Sequence, residues 1–351
     1  MKVIFVIPQM SGGGAERVIS ILANNFVKKN IDVEILMTAG SNVDYALDDR
    51  VSLETVGGET QGSPLKILGR IRKMSQHFGL PENKDAVIVS FGPGTSGYVV
   101  LSLMGRKRKL IISERNDPDA CPHPHLRNIV YKKADKLVFQ TYMARDAFPS
   151  ALSRKGVVIP NPIRPDIPNV IKGEREKTIV AVGRLEKQKN YPMLLRAFEI
   201  FHKDFSDYTL HIFGRGSLEE ELKKMAYEEL TLSDTSVIFE GFCNDVNERV
   251  KNAGMYMLSS DYEGISNAMI EALAMGIPTV ATDCPIGGSA MCIRSNENGI
   301  LVPTGDYKAM ADAMKRIAED DIFAEKISNE AVKIRKDYNE DTVSDKWIEL
   351  L

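Results

Sequence analysis

The chain has 351 residues, 26% charged and 43% apolar, with 26 glycines and 16 prolines. That length suits two domains, each able to bury its own core, and the composition excludes a disordered chain, a collagen-like repeat and a disulfide scaffold. The formal charge of −3 hides an asymmetry: residues 1–163 hold 22 Lys and Arg against 15 Asp and Glu, a net of +7, while residues 164–351 carry a net of −10. A basic first half is expected to face an anionic partner, and nothing in the pattern asks for nucleic acid.

No apolar run approaches the ~18–20 residues that cross a bilayer. The N-terminus does not read as a signal peptide. Four cysteines (Cys121, Cys243, Cys284, Cys292) without CxxC or metal-ligand spacing fit a reducing cytoplasm.

Apolar strand-length segments alternate with amphipathic helical ones from end to end, which predicts parallel βαβ units. In the first half the expected strands are Val3–Ile7, Val33–Thr38, Ala86–Ser90, Leu110–Ser113, Lys136–Phe139 and Val157–Ile159, with a helix over Ala15–Lys29. Four prolines between Pro160 and Pro168 mark a hinge. The second half restarts the alternation with Thr178–Val182, Thr209–Phe213, Val237–Phe239, Met255–Leu258, Pro278–Ala281 and Gly299–Val302, then a helix over Asp306–Ala318. The fold class is α/β: two doubly wound, Rossmann-like domains facing one another across an interdomain cleft, with ligands at strand carboxyl ends. The first domain is expected over 1–163, the second over 164–335, and a C-terminal helix over 336–351 that packs back on the first.

Three loops carry chemistry. Ser11-Gly12-Gly13-Gly14-Ala15-Glu16-Arg17 follows the first strand and opens a helix, so backbone amides can approach a phosphate or sugar. As a dinucleotide fingerprint it fails, because Arg17 stands in the third glycine's place, and this argues against a nicotinamide dehydrogenase. Gly183-Arg184-Leu185 follows a strand, and Lys189-Asn190 precedes a helix. Two cations there suit a diphosphate held without metal. In Asp261-Tyr262-Glu263-Gly264-Ile265-Ser266-Asn267-Ala268-Met269-Ile270-Glu271, either Ser266 or Asn267 can cap a helix running to Met275. The amides of Ile265 to Ala268 would then meet phosphate oxygens, and Glu263 and Glu271 would accept hydrogen bonds from vicinal hydroxyls on either side. Carboxylates gripping two sugars, and amides the phosphates between them, describe a sugar nucleotide.

The Glu-x7-Glu pair Glu263/Glu271, the Gly-Arg-Leu…Lys-Asn stretch, the Gly13-to-Arg17 opening and Asn298-Gly299-Ile300-Leu301-Val302-Pro303 together resemble family-4 retaining glycosyltransferases of the GT-B fold. Ile112-Ser113-Glu114-Arg115-Asn116-Asp117-Pro118 is similar to the branch that builds bacterial surface polysaccharides and lipid-linked oligosaccharides. The resemblance implies a metal-independent hexosyltransferase with a UDP-sugar donor and an undecaprenyl-diphosphate-linked glycan acceptor, working peripherally at the inner face of the cytoplasmic membrane. It implies that Arg184 and Lys189 stabilise the UDP leaving group, Glu263 binds the transferred sugar and Glu271 the ribose. It also implies that Gly13, Gly14 and Gly183 approach the donor, and that Phe242 to Asn244 cradle the base. Departure of UDP on the front face would let its own phosphate oxygen take the acceptor's proton, with retention. The chain departs from the family at Ala290, where relatives often carry Glu, and at Arg115-Asn116, near which many carry His. A UDP-sugar epimerase or a non-catalytic two-lobed sugar-binding protein are the alternatives.

The acceptor is expected in the basic half. Over 66–78 a helix would align Ile67, Ile71, Met74 and Phe78 in one apolar stripe and Lys66, Arg70, Lys73 and His77 in a cationic ridge beside it. Such a ridge suits an anionic membrane surface or a lipid diphosphate. Arg17, Thr95 in the Gly92–Gly97 loop, Arg115 and Asn116 complete the expected acceptor set.

Overall fold

Strands that read as near-continuous Val, Ile, Leu and Phe need both faces covered, and a parallel sheet sandwiched by helices provides this. The computed structural model describes residues 1–57, 64–115, 117–171, 173–230 and 232–351. Two compact units emerge: 1–162 together with 339–351, and Ile163–Tyr338. The division after Pro162 lies one residue before the boundary read from the sequence, and the C-terminal return begins at Asn339 rather than Lys336.

The first unit's sheet is built from β1 (Lys2–Ile7), β2 (Asp32–Met37), β3 (Ser52–Thr55), β4 (Val87–Phe91), β5 (Leu110–Ser113), β6 (Lys136–Phe139) and β7 (Gly156–Val158). All pair in parallel, in the order β3-β2-β1-β4-β5-β6-β7. β3 has no counterpart in the apolar pattern, because all four of its residues are exposed at the sheet edge. The core gathers Phe5, Phe26, Val89, Phe91 and Trp347. Trp347, fully buried on the helix Glu340–Ile348, stacks on Phe91 with ring centroids 6.0 Å apart. Truncating a buried indole typically costs about 3–5 kcal/mol, so this contact is a main reason the C-terminal segment belongs to the first unit. Asn25 donates to Asp341 Oδ1 at 2.9 Å, and Lys29 pairs with Asp345 at the same junction.

The second unit holds β8 (Glu176–Val182), β9 (Thr209–Phe213), β10 (Val237–Gly241), β11 (Ala253–Leu258), β12 (Thr279–Asp283) and β13 (Ile300–Pro303). They are parallel in the order β10-β9-β8-β11-β12-β13. Helix Tyr191–His202 turns Leu194, Leu195, Phe198 and Phe201 onto one face of this sheet, and Asn267–Ala274 lays Met269, Ile270 and Leu273 on the other.

Each strand order reverses once, between β1 and β4 and between β8 and β11. Loops leaving neighbouring strands at such a point diverge to opposite faces and open a crevice at the carboxyl edge.

Helix Pro64–Phe78 forms where its periodicity predicts, with its inward face shifted by one residue. Arg70, Met74 and Phe78 are buried at steps of four, while Ile67 and Ile71 are half-buried. Gly69 lies on its exposed face with nothing within 4 Å of an added Cβ. Gly69→Ala is therefore expected to raise stability by about 0.5–1 kcal/mol, seen as a higher urea midpoint at unchanged slope. Among the described residues no helix is long and apolar enough to cross a membrane.

Candidate active site

In the second unit the reversal point is flanked by the loop after β8 and the loop after β11, and Lys189, Asn190, Asp261 and Glu263 meet there. β8 ends at Val182. The Gly183 amide then donates to the Phe213 carbonyl at 2.9 Å, and the chain folds through a short 3-10 turn, Lys187–Lys189, into the helix Tyr191–His202. Asn190 takes a φ of 43° and caps that helix, its side chain accepting from the Met193 amide. The Asn190 Nδ2 donates to Asp261 Oδ1 at 2.6 Å across the reversal point.

Further bonds sew the two loops together. Asp261 N–H donates to the Gln188 carbonyl at 2.9 Å, Gln188 Nε2 to the Tyr262 carbonyl at 3.0 Å, and Ser259 Oγ to the Lys189 carbonyl at 2.7 Å.

These bonds aim Lys189 at Glu263. Its ammonium forms an ion pair with Glu263 Oε2, and Ser260 Oγ donates to the same oxygen at 3.3 Å. The two side chains are 13% and 14% exposed, so the pair is partly shielded yet reachable from solvent. At Gly183 a Cβ would stand 3.1 Å from Lys189 Cε and 3.3 Å from Tyr191 Oη. The missing side chain lets the lysine stem cross the end of β8. Burial, and secondarily the Glu263 carboxylate, push the Tyr191 phenol above its ordinary range, so it stays a neutral donor to the Gly183 carbonyl at 3.1 Å. Burial pushes Cys284 up to about 11, which keeps it a thiol rather than a nucleophile near neutral pH.

Ser266 caps helix Asn267–Ala274, accepting from the Met269 amide at 3.4 Å, and Ile265 and Ser266 are buried beneath the first turn. Asn267 and Ala268 are half-buried at that turn. An eight-residue helix presents the partial positive charge of its N-terminus there. Glu271 is 2% exposed and engaged by neighbours, as a carboxylate inside a helix must be. Arg184 is exposed, its Nη2 3.5 Å from Gln188 Oε1. Phe242 is 59% exposed and Asn244 exposed in the loop after β10.

One loop at this edge went unread in the sequence. Gly214-Arg215-Gly216-Ser217 follows β9 and is wedged against the loop after β8. Leu185 N–H donates to the Arg215 carbonyl at 3.0 Å, and Ser217 Oγ donates to Glu186 at 2.8 Å. A Cβ on Gly214 would stand 1.9 Å from the Gly183 carbonyl oxygen, and one on Gly216 2.2 Å from that of Leu185. The available signal was a Gly-x-Gly directly after an apolar strand. The loop sets another cation at this edge: Arg215 Nε lies 3.9 Å from where a Cβ on Gly241 would stand.

In the first unit the glycine loop opens helix Gly14–Lys28 with Gly13 in extended backbone, its carbonyl accepting from Tyr45 Oη at 2.7 Å. Gly14 is exposed and Arg17 half-buried in the first turn. The expected cationic ridge breaks up. Lys66 and Lys73 are exposed, but Arg70 is only 8% exposed, with its guanidinium 5.3 Å from the Tyr98 ring centroid, and His77 pairs with Glu34. Arg70 and His77 sit on the boundary of the apolar stripe, and the one-residue shift of the buried face carries both inward. Arg72 takes the outward place, beside Leu65 and Leu68, which are 79% and 62% exposed. Thr95 is buried in the first turn of helix Pro93–Ser102 and presents little to a ligand. Asn116 lies outside the described residues, and Ala290 is exposed after β12.

Comparison with known proteins bears on what such a site does. Residues 163–334, nearly the whole second unit, match the family model "Glycosyl transferases group 1". The chain is 27% identical over its full length, and 98% of the relative's, to the GalNAc-α-(1→4)-GalNAc-α-(1→3)-diNAcBac-PP-undecaprenol α-1,4-N-acetyl-D-galactosaminyltransferase of Campylobacter jejuni. It is 24% identical, over 100% of this chain and 99% of the relative, to the amylovoran biosynthesis glycosyltransferase AmsD of Erwinia amylovora. Anabaena HepE, solved in complex with UDP and glucose, superposes with a TM-score of 0.83 at 18% identity, covering 99% of this chain and 98% of that one. These findings support transfer over the epimerase and sugar-binding alternatives. The second unit is thus similar to the glycosyl transferases group 1 model, the chain has the GT-B fold, and it is a glycosyltransferase.

Proposed function

We propose that the protein moves a hexose or N-acetylhexosamine from a UDP-sugar to a polyprenyl-diphosphate-linked glycan, with retention and without a metal. The observation that carries this reading is the Lys189–Glu263 pair straddling the reversal point of the second sheet, beside the capped N-terminus of helix Asn267–Ala274. A cation, a carboxylate and a helix N-terminus at one strand edge fit the diphosphate and hydroxyls of a sugar nucleotide. On binding, Lys189 exchanges Glu263 for a phosphate oxygen, and Glu263 turns to the sugar's hydroxyls. Arg184 adds charge from the exposed side, Glu271 meets the ribose, and Phe242 to Asn244 the base.

The chemistry then rests on stabilising the charge that grows on the leaving diphosphate and on holding the acceptor hydroxyl on that same face. Lys189, Arg184 and Arg215 supply that charge, so the cation set does the work a divalent metal does elsewhere. Gly13 and Gly14 are assigned to the donor phosphates as well.

Lipid-linked glycans are acted on by the Campylobacter jejuni relative, and the first unit carries a surface suited to such an acceptor. Exposed Leu65 and Leu68 alternate with Lys66, Arg72 and Lys73 on one helix, a pairing of apolar and cationic side chains that favours anionic lipid surfaces. Peripheral attachment to the cytoplasmic face of the membrane follows from the same reading. The test is mass spectrometry for a sugar-extended acceptor after incubation with UDP-hexoses and UDP-N-acetylhexosamines. Lys66→Ala with Lys73→Ala is expected to weaken use of the lipid-linked acceptor by about 30-fold while calorimetry shows UDP affinity within about twofold of the parent, since each near-surface cation is worth roughly 1 kcal/mol. Equal losses in both would refute a separate acceptor surface.

A further inference from the structure

At the carboxyl end of β5 the first unit holds a cation that no contact among the described residues neutralises. The Arg115 guanidinium lies over the Phe91 ring, 5.5 Å from its centroid, and both terminal nitrogens are buried with no hydrogen-bond partner among the described residues. Two residues earlier the Ser113 hydroxyl is buried and equally unpartnered. Phe91 stands opposite Ser113 in the β4–β5 register, and the Gly92 amide donates to the Ser113 carbonyl at 3.0 Å, so these unused donors share two adjacent strand ends. The neighbouring carboxylate is committed elsewhere: Glu114 Oε1 accepts from the backbone amide of Arg115 at 2.9 Å, and Oε2 from Tyr131 Oη at 2.7 Å. Burial draws Arg115 down to about 10, with Glu114 opposing, which leaves it charged at neutral pH.

Buried polar groups in folded proteins are almost always paired, and an unpaired buried cation is costlier than an unpaired neutral group. A fold that keeps one at a strand's carboxyl edge is arranged for a ligand that brings the anion. The place agrees, since β4 borders the point where the first sheet's strand order reverses. A planar guanidinium presenting two parallel N–H groups matches two phosphate oxygens better than a point-charge ammonium does.

We propose that Arg115 and Ser113 form an oxyanion subsite in the first unit that takes a phosphate or diphosphate group. Resting on the transferase reading above, that group is the acceptor's diphosphate rather than the nucleotide's. The guanidinium would donate to two oxygens, and the serine hydroxyl to a third.

The test is isothermal titration calorimetry of the full chain with inorganic pyrophosphate, run in saturating UDP so that the second unit's site is already filled. The parent is expected to take up pyrophosphate under these conditions. Arg115→Met should weaken that uptake by about 10–100-fold, the scale of lost hydrogen bonds to a charged group, and Arg115→Lys by less. UDP affinity should be unaltered in both. Because methionine keeps the stem and removes an unpaired charge, Arg115→Met should melt no lower than the parent in the absence of ligand. A lower melting temperature with unaltered pyrophosphate uptake would assign Arg115 to the fold and overturn the subsite. Pyrophosphate uptake abolished by UDP, together with weakened UDP binding in Arg115→Met, would give the anion to the nucleotide and overturn its assignment to the acceptor. Failure of the donor reading has a different signature: no UDP uptake by parent or variant, with the Arg115 dependence of pyrophosphate uptake intact, which would support the subsite on its own.

Discussion

Lys189→Ala is expected to lower turnover with the UDP-sugar by about 10²–10³-fold, the loss of one preorganised charge stabiliser, or about 2.7–4 kcal/mol of barrier. The ammonium is positioned before any ligand arrives. Ser259 Oγ holds its backbone carbonyl, Glu263 its tip, and the bare Gly183 gives its stem a track across the end of β8. That fixed placement separates a stabiliser of developing charge from a solvated lysine, which would reorganise during reaction and contribute little. The loss should fall mainly on kcat, because the diphosphate carries more negative charge as the sugar leaves than it does in the bound donor. Glu263→Gln provides the control. It removes Lys189's resting partner, keeps the side chain's size and should leave the ammonium able to reach the diphosphate, so its deficit should depend on which sugar is transferred. If the pair merely stapled two loops together, both variants would lose melting temperature equally and turnover in parallel. A Lys189→Ala enzyme within about threefold of parental kcat would remove the residue from this role.

Gly214→Ala is expected to have the largest structural effect. Its φ of 144° lies where side chains are rarely tolerated, and an added Cβ would stand 1.9 Å from the Gly183 carbonyl oxygen, which is backbone and cannot swing aside. Strain of that kind costs roughly 1–3 kcal/mol and overpacking adds a similar amount. A loss of about 2–5 kcal/mol in unfolding free energy of the second unit follows. The alternative to unfolding is to push the loop after β8 outward, which would carry Gly183 and Arg184 away from the loop after β11. The variant should therefore lose UDP affinity by about tenfold or more even where it remains folded, since misplacement of about 1 Å is costly at such sites. Calorimetry with UDP and chemical denaturation would read the two effects separately. A folded Gly214→Ala protein with parental UDP affinity would show that the glycine loop is not coupled to the nucleotide site.

Much of both sheets was legible without coordinates. Parallel strands announce themselves as short apolar runs because both faces are covered, and Thr209–Phe213 and Leu110–Ser113 have the same limits in sequence and structure. Ser266 could be read as a cap because a helix start needs a hydroxyl acceptor just there. β3 was invisible for the converse reason: Ser52–Thr55 lies exposed at an edge, where pairing to one neighbour leaves no apolar signature. The Gly214–Ser217 loop was overlooked because a Gly-x-Gly looks like any turn until the loop packed against it is known.

What the sequence determined by itself is local: strand and helix identity, the caps, the glycines, and the presence of Arg184, Lys189, Glu263 and Glu271 in loops after strands. Those properties depend on periodicity, backbone freedom and hydrogen-bond chemistry within a few residues. Only the tertiary structure decided which of these groups meet. Lys189 and Glu263 are 74 residues apart and pair because the strand order reverses between β8 and β11. Arg70 and Arg115 are alike in the sequence as cations of a basic half. Packing set one against Tyr98 at the edge of the core and left the other's terminal nitrogens buried with no partner among the described residues, because the energy of a charge depends on the groups folding brings around it rather than on its neighbours along the chain.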